Sequence, residues 1–417
     1  MESKVTIADH SMRTAWLVVA LLVPVALLNY LDRQMLAAMK FSVMQDIPGI
    51  ELEANWGKIL AVFKWVYAFL SPVGGYLADR YSRRHVISAS LFVWSVVTLL
   101  TGHVTTYEQL LATRALMGIS EAFYIPAALA LIADFHIGAT RSRAIGLHQM
   151  GIYAGVIVGG FSGYVADQPA LGWRWAFELC GVIGVLYALP LFFLLKNSIR
   201  TIDSADRRVS PLGAIHELCG NGSFILLVLY FTLPALAGWV VRDWMPAILK
   251  EQFGIGQGRA GVSATLYWQV AAIVGAVSGG WLADRWMLRT SRGRIYVSAI
   301  GMSLIVPAMF GVGYAPQTGH LWVAVAFLIL FGLGWGFFDG NNMPILCQIV
   351  RPDLRASGYG VMNLVSISCG GLADWGFGIL RDRQVPLFGI FSIFATAAIV
   401  SVGLVLLIRP RETDFGQ

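Results

Sequence analysis

Twelve stretches of about 20 mostly apolar residues follow one another along the 417-residue chain, and this repetition limits what it can fold into. They fall near 14–40, 56–78, 85–103, 108–134, 142–166, 173–195, 222–249, 261–283, 295–313, 319–347, 355–379 and 386–408. A hydrocarbon core of roughly 30 Å takes a helix of about 20 residues to cross, so each stretch is long enough to span a bilayer. Only 13% of the residues are charged, against about 25% in soluble domains. A soluble fold is excluded. The net charge of +6 could suggest a nucleic-acid partner. However, the Lys and Arg residues sit in short loops between apolar stretches, which is a topology signal, so the bilayer is the expected partner and nucleic acid is not.

The basic loops also set an orientation. Arg80, Arg83 and Arg84 follow the second stretch, Arg141 and Arg143 the fourth, and Lys196, Arg200, Arg207 and Arg208 fill the centre. Arg285, Arg289, Arg292 and Arg294 follow the eighth, Arg351 and Arg355 the tenth, and Arg409 and Arg411 the twelfth. With alternating helices these loops share one side, and the positive-inside rule makes that side and both termini cytoplasmic, in a bacterial inner membrane. Arg381 and Arg383 are the exception, partly offset by Asp382.

The two halves repeat. Gly75-Tyr-Leu-Ala-Asp79-Arg80 returns as Gly280-Trp-Leu-Ala-Asp284-Arg285, and Gly118-Ile-Ser-Glu121 with Pro126 returns as Gly336-Phe-Phe-Asp339 with Pro344. Arg143-Ala-Ile-Gly146 is echoed by Arg355-Ala-Ser-Gly358. Matches in the same order predict an all-α membrane protein of 12 transmembrane helices in two pseudo-symmetric six-helix bundles. Residues 1–195 form the first bundle, 196–220 a cytoplasmic linker and 221–417 the second. In such transporters the substrate site lies between the repeats, near the midplane.

Ionisable residues at membrane depth are costly and usually face a bundle interior or a pathway. Asp32 and Arg33 interrupt the first stretch beside Tyr30. Arg114, Gly118 and Glu121 share one face of the fourth at i, i+4 and i+7, with Gly118 leaving room for a neighbouring helix or ligand. Lys64 lies in the second stretch on the face of Tyr67, where a second cation suits an anionic substrate. In the fifth stretch adjacent His148 and Gln149 point about 100° apart, and Gln149 is the cavity candidate. Asp339-Gly340-Asn341-Asn342 with Pro344 suggests a broken or bent tenth helix, with Asp339 a candidate second proton site or a hydrogen-bond acceptor for sugar hydroxyls and Asn341 and Asn342 polar contacts. Trp239 is a candidate stacking wall, whereas Arg242 and Asp243 read as lying near the outer face and Asp374 has no assigned role. No phosphate loop and no metal-ligand spacing occur, and the four cysteines read as small hydrophobes. An enzyme and a bound cofactor are not expected, and a proton is the expected coupling ion.

Three resemblances follow from these residues. Gly75-x-x-x-Asp79-Arg80-x-x-Arg83-Arg84, with its weaker copy from Gly280 to Arg294, resembles the loop signature of the major facilitator superfamily. That resemblance implies a gating role for Gly75, Asp79, Arg80, Arg83 and Arg84. Tyr30-x-Asp32-Arg33 with Arg114-x-x-x-Gly118-x-x-Glu121 resembles the anion:cation symporter family, which includes sugar-acid carriers such as those for galactonate and hexuronates, and sialin. It implies that Arg33 binds a substrate carboxylate, Asp32 and Glu121 carry protons, Arg114 pairs with them, and Gln149 and Asn363 touch substrate. The expectation is a monomeric proton symporter importing a small organic anion such as a uronate or aldonate. Arg114-x-x-x-Gly118-x-x-Glu121-Ala122 with the Asp79-Arg80 loop also resembles Spinster-type lipid transporters, which implies an amphiphile exporter instead.

Overall fold

The computed structural model describes residues 12–136, 140–197, 211–351 and 354–410, and these residues form fifteen helices and no strand. The first half contains α1 (Met12–Ala38), α2 (Lys40–Asp46), α3 (Glu53–Arg80), α4 (Arg83–Thr101), α5 (Tyr107–Glu121), α6 (Tyr124–Phe135), α7 (Arg141–Ala166) and α8 (Gly172–Leu194). The second contains α9 (Pro211–Gly220), α10 (Gly222–Phe253), α11 (Gln257–Met287), α12 (Gly293–Thr318), α13 (Leu321–Ile349), α14 (Arg355–Asp382) and α15 (Leu387–Leu407).

Ten helical spans among the described residues are long and apolar enough to cross a membrane, with α5 and α6 together forming one of them. The other two expected spans, α3 and α14, are 28 residues each, or about 42 Å at 1.5 Å per residue. Each carries a charge at its middle, Lys64 in α3 and Asp374 in α14, and the two pack along each other. Pairing explains how they carry that polarity: their charged faces meet protein rather than lipid.

Two features differ from the sequence reading. The tenth helix is not broken, because α13 runs unbroken through Asp339, Gly340 and Pro344. The interruption lies in the fourth span, between α5 and α6, directly after Glu121. The expected linker, whose residues 198–210 lie outside those described, ends in a helix: Ala214 and Leu218 of α9 are buried in the core of the second half.

The halves are joined at one end. Gln257 at the start of α11 donates to Ser42 (2.7 Å) and Asp167 (3.2 Å), and Asp167 accepts from the backbone N–H of Gly258 (3.0 Å). At the same end Asp382 of α14 accepts from the first backbone N–H groups of α3, Glu53 at 2.9 Å and Ala54 at 2.8 Å. The apolar core follows the same plan. Met35, Met39, Trp56 and Ile59 join the core of the second half, whereas Ala15, Leu22, Trp94 and Tyr124 form a separate core within the first. We call the end near Ala38, Glu53, Phe253 and Asp382 the sealed end.

Small residues bring backbones together where side chains would hold them apart. Gly151, Gly155 and Gly159 recur every fourth residue on α7 and rest on the carbonyls of Val23, Leu27 and Leu31 of α1. The repeat seen in sequence has a structural meaning as well. Gly118 lies against the Phe63 carbonyl of α3, and its counterpart Gly336 lies against the Ala272 carbonyl of α11. The room left at Gly118 is filled by a helix.

Candidate functional site

The charged turn of α1 is held by two separate ion pairs. The Arg33 guanidinium binds Glu121, with Nε 2.7 Å and its terminal nitrogen 2.6 Å from Oε2. Asp32 points the other way, accepts from the Thr98 hydroxyl, and faces Arg114 at 3.6 Å. The four side chains are nearly or fully buried, Arg33 being the most accessible at 12%. Arg33 is also enclosed by rings: its guanidinium carbon lies 4.7 Å from the centroid of Tyr30, 4.7 Å from Phe63 and 4.9 Å from Tyr67. Desolvated cation–π contacts strengthen the hold on a cation but offer it no neutralising charge, so Glu121 supplies that. The second oxygen of Glu121, Oε1, is buried without a hydrogen-bond partner.

Lys64 does not join Arg33. It reaches across to the second half and donates to both Asp243 of α10 and Asp374 of α14. It lies about 16 Å along α3 from Glu53, so Asp243 is at membrane depth rather than near the outer face. The Lys64 ammonium also sits 4.6 Å from the Trp239 ring, and the Arg242 guanidinium lies 5.4 Å from the same ring and 5.3 Å from Tyr30. Trp239 therefore stands between two cations.

A third cluster is polar and lies between the halves. Asp339 is exposed although it sits well inside α13, and Arg242, Tyr153, Tyr230 and Tyr359 from three other helices are within its electrostatic reach. Such a residue faces an internal cavity. Gln149 is paired with Tyr153 and Asn363 with Tyr359, which places both at this cluster. His148 is buried instead, 2.8 Å from the Tyr124 hydroxyl. Asn341 donates to the carbonyl of Phe337 in its own helix at 2.9 Å, and Asn342 is buried. Neither lies among the residues around Asp339 named above.

Of the gating motif, Gly75 and the Asp79 side chain lie outside what is described. Arg80 is exposed. Arg83 turns inward to Asp134 and to the carbonyl of Ala130 at 2.8 Å, tying α4 to α6. Arg84 lies against His85 and Phe192.

A small pocket of about 30 Å³, room for a water or two, lies among the charged groups. Its wall is Leu36, Leu60, Phe63 and Trp239, and its charged groups are Arg33, Lys64, Arg114, Arg242 and Asp243. No group of His, Cys, Asp and Glu among the described residues could hold a metal ion.

Helical architecture, repeat and gating motif meet in one comparison: the profile of the Major Facilitator Superfamily matches residues 22–373. The chain belongs to the major facilitator superfamily. It is accordingly a multi-pass membrane transporter and not an enzyme. Among similar proteins, the human Protein spinster homolog 1 is 33% identical over 397 residues, covering 88% of this chain and 73% of the human protein. The Drosophila melanogaster Protein spinster is 27% identical over 373 residues, covering 86% of this chain, and the chain spans 60% of that relative's length. The fold is shared with a bacterial homolog of the human lysosomal transporter Spinster in an inward-facing, unoccupied conformation (TM-score 0.76, 20% identity, 96% of each chain). It is also shared with a D-xylose-proton symporter (TM-score 0.77, 17% identity, 96% and 98% of the chains). Of the two narrower resemblances read from the motifs, the relatives support the Spinster type rather than the anion:cation symporters.

Three residues of these clusters are not identified from the sequence as site residues. Arg242 and Asp243 read as lying near the outer face and Asp374 has no assigned role, although each is a charge inside an apolar stretch. A single charge there needs a partner, and the unmatched Lys64 on another helix was the signal.

Proposed function

We propose that this protein is a Spinster-like secondary transporter that carries an amphiphile with an anionic headgroup by alternating access, with protons as the coupling ion. The observation that carries this reading is the composition of the interhelical pocket. In this sealed form it has room only for water, but its lining of Leu36, Leu60, Phe63 and Trp239 is apolar and Arg33 and Arg242 border it, so a pocket widened by opening would meet an apolar tail beside an anionic head. The sequence similarity to Spinster proteins supports the same choice.

Coupling follows from the pairing. Arg33 holds Glu121, so an incoming anion competes with Glu121 for the same guanidinium. Once displaced, a buried carboxylate without a cation takes up a proton, because an uncompensated charge in that setting costs several kcal/mol. Asp32, next to Arg33 on α1, and Arg114, about two turns from Glu121 on α5, form a second pair. The basic residues Arg83, Arg84, Arg141, Arg285, Arg292, Arg351 and Arg409 lie at the end opposite the seal, which supports a cytoplasmic assignment for that end and for both termini.

A second reading, proton symport of a sugar acid such as a uronate, draws on the amides and hydroxyls of Gln149, Tyr153, Tyr359 and Asn363 around Asp339. One experiment separates them. The purified protein in lipid nanodiscs is heated with lysophospholipids, free fatty acids, uronates, aldonates or neutral sugars. A ligand at 100 times its Kd stabilises the fold by about 2.7 kcal/mol. Stabilisation by an anionic or zwitterionic lysolipid, lost in Arg33→Ala, is the expected result; stabilisation by a uronate alone overturns the amphiphile reading.

A further inference from the structure

Lys64, Asp243 and Asp374 lie apart from the pairs already assigned to coupling, and their arrangement crosses the boundary between the halves. Lys64 belongs to α3 of the first half, while both acids belong to the second. All three are buried, Asp374 completely, and Asp374 Oδ1 has no hydrogen-bond partner. We propose that these three residues form a proton-binding latch between the halves, about 16 Å in from the sealed end, a titratable site distinct from Glu121 and Asp32.

The argument is one of charge and place. One ammonium faces two carboxylates, so the fully ionised set carries one uncompensated negative charge inside the bilayer. In the sealed form Lys64 is shared by both acids, each contributing its Oδ2. When the halves part at this end, Lys64 leaves with α3, and Asp243 and Asp374 remain together on α10 and α14. Two adjacent carboxylates that have lost their cation cannot both stay ionised. The pair takes one proton from hydronium in the water that enters: one O–H bond forms on a carboxylate oxygen and one water is left. Nothing else is transferred.

The surrounding charges leave the acids dependent on Lys64. On α10, Arg242 turns to Tyr30 and Trp239 and faces Asp339 of α13. Arg33 of α1 and Arg114 of α5 line the same pocket, but they are engaged by Glu121 and Asp32. Lys40 of α2 is bound to Glu53 of α3. The apolar interior of α11 and the whole of α15 carry no charge.

Because the open form binds the additional proton, lower pH favours opening at the sealed end, by up to tenfold per pH unit for one proton. Since this concerns the empty protein, it can fail or succeed independently of the substrate reading. The test is pulsed electron spin resonance between spin labels at Gln168 and His320, both exposed at that end. The four native cysteines are replaced in this background. Between pH 8 and pH 5, with no ligand, the open-to-sealed ratio is expected to rise as pH falls. That slope is expected to flatten in Asp243→Asn/Asp374→Asn, where the acids are isosteric and neutral. Lys64→Gln is a second route to the same flattening, because the acids then lack a cation in both forms. A ratio independent of pH in the unsubstituted protein overturns the latch, and so does an undiminished slope in either variant.

Discussion

Asp382 offers a measurement of how firmly the halves are held. Its carboxylate caps α3 from the other half, accepting from the N–H groups of Glu53 and Ala54 at 2.9 and 2.8 Å. These are two of the orphan donors that every helix N-terminus leaves, and the positive end of the helix dipole favours the negative charge. Replacing such a cap by Ala costs about 0.5–2 kcal/mol, typically about 1. The cap exists only while the ends are together, so this loss falls on the sealed form alone. Asp382→Ala should therefore raise the open-to-sealed ratio by about 5- to 30-fold if the loss is about 1–2 kcal/mol. Asp382→Asn keeps an acceptor and caps nearly as well, so it should move the ratio by only a few-fold. The Gln168–His320 distance distribution at fixed pH reads both variants. Equal shifts in the Ala and Asn variants would mean that charge, not capping, acts at this seam; no shift in either would refute the idea that Asp382 holds the seal.

Three other predictions rest on the first half. Glu121→Gln removes the titratable partner of Arg33 and should abolish accumulation driven by a pH gradient in proteoliposomes while leaving substrate exchange, and a variant that still concentrates substrate would remove Glu121 from coupling. Arg33→Lys keeps the charge but loses the planar guanidinium that fits between Tyr30, Phe63 and Tyr67, so ligand affinity should fall at least tenfold in the same thermal assay. Gly155→Leu would drive a side chain into the Leu27 carbonyl of α1; overpacking of this kind costs about 1–3 kcal/mol, and the variant should show a lower melting temperature and more aggregate on size exclusion, whereas Gly220→Ala, with open space around it, should not.

Much of the architecture was legible because a bilayer imposes length and composition on anything that crosses it. Period, loop charge and the Gly118/Gly336 repeat were each visible without coordinates, and the repeat proved to mark equivalent helix crossings. Pairing was harder to read. The motif put Asp32, Arg33, Arg114 and Glu121 on two helices, but spacing along a helix says nothing of which charge meets which across the gap. The observed pairs, Arg33 with Glu121 and Arg114 with Asp32, depend on the rotation of α1 against α5. The break after Glu121 had a signal in Pro126, which lies in the first turn of α6 and has no N–H to offer the Ala122 carbonyl, but Gly340 and Pro344 in α13 look equally disruptive. Pro344 is accommodated within a continuous helix, so composition alone misplaced the interruption.

Two spans with charge buried at their middle, Lys64 in α3 and Asp374 in α14, turn out to face each other. α3 and α14 could not be stable against lipid with Lys64 and Asp374 exposed to it, but placed side by side they satisfy one another. This makes their polarity a specification of the interface: either helix alone would carry an unpaired charge costing several kcal/mol, and breaking the pair by removing one partner costs about 3–5 kcal/mol. A transporter must separate these helices to open the sealed end, so that cost has to be met in every cycle. A second acid beside the first meets it chemically, since a proton can replace the departing lysine as the neutralising charge. An interface built only from leucines would seal as well but would open without reference to pH. Lys64 shared between Asp243 and Asp374 ties the opening of this end to the proton supply on the side it opens to.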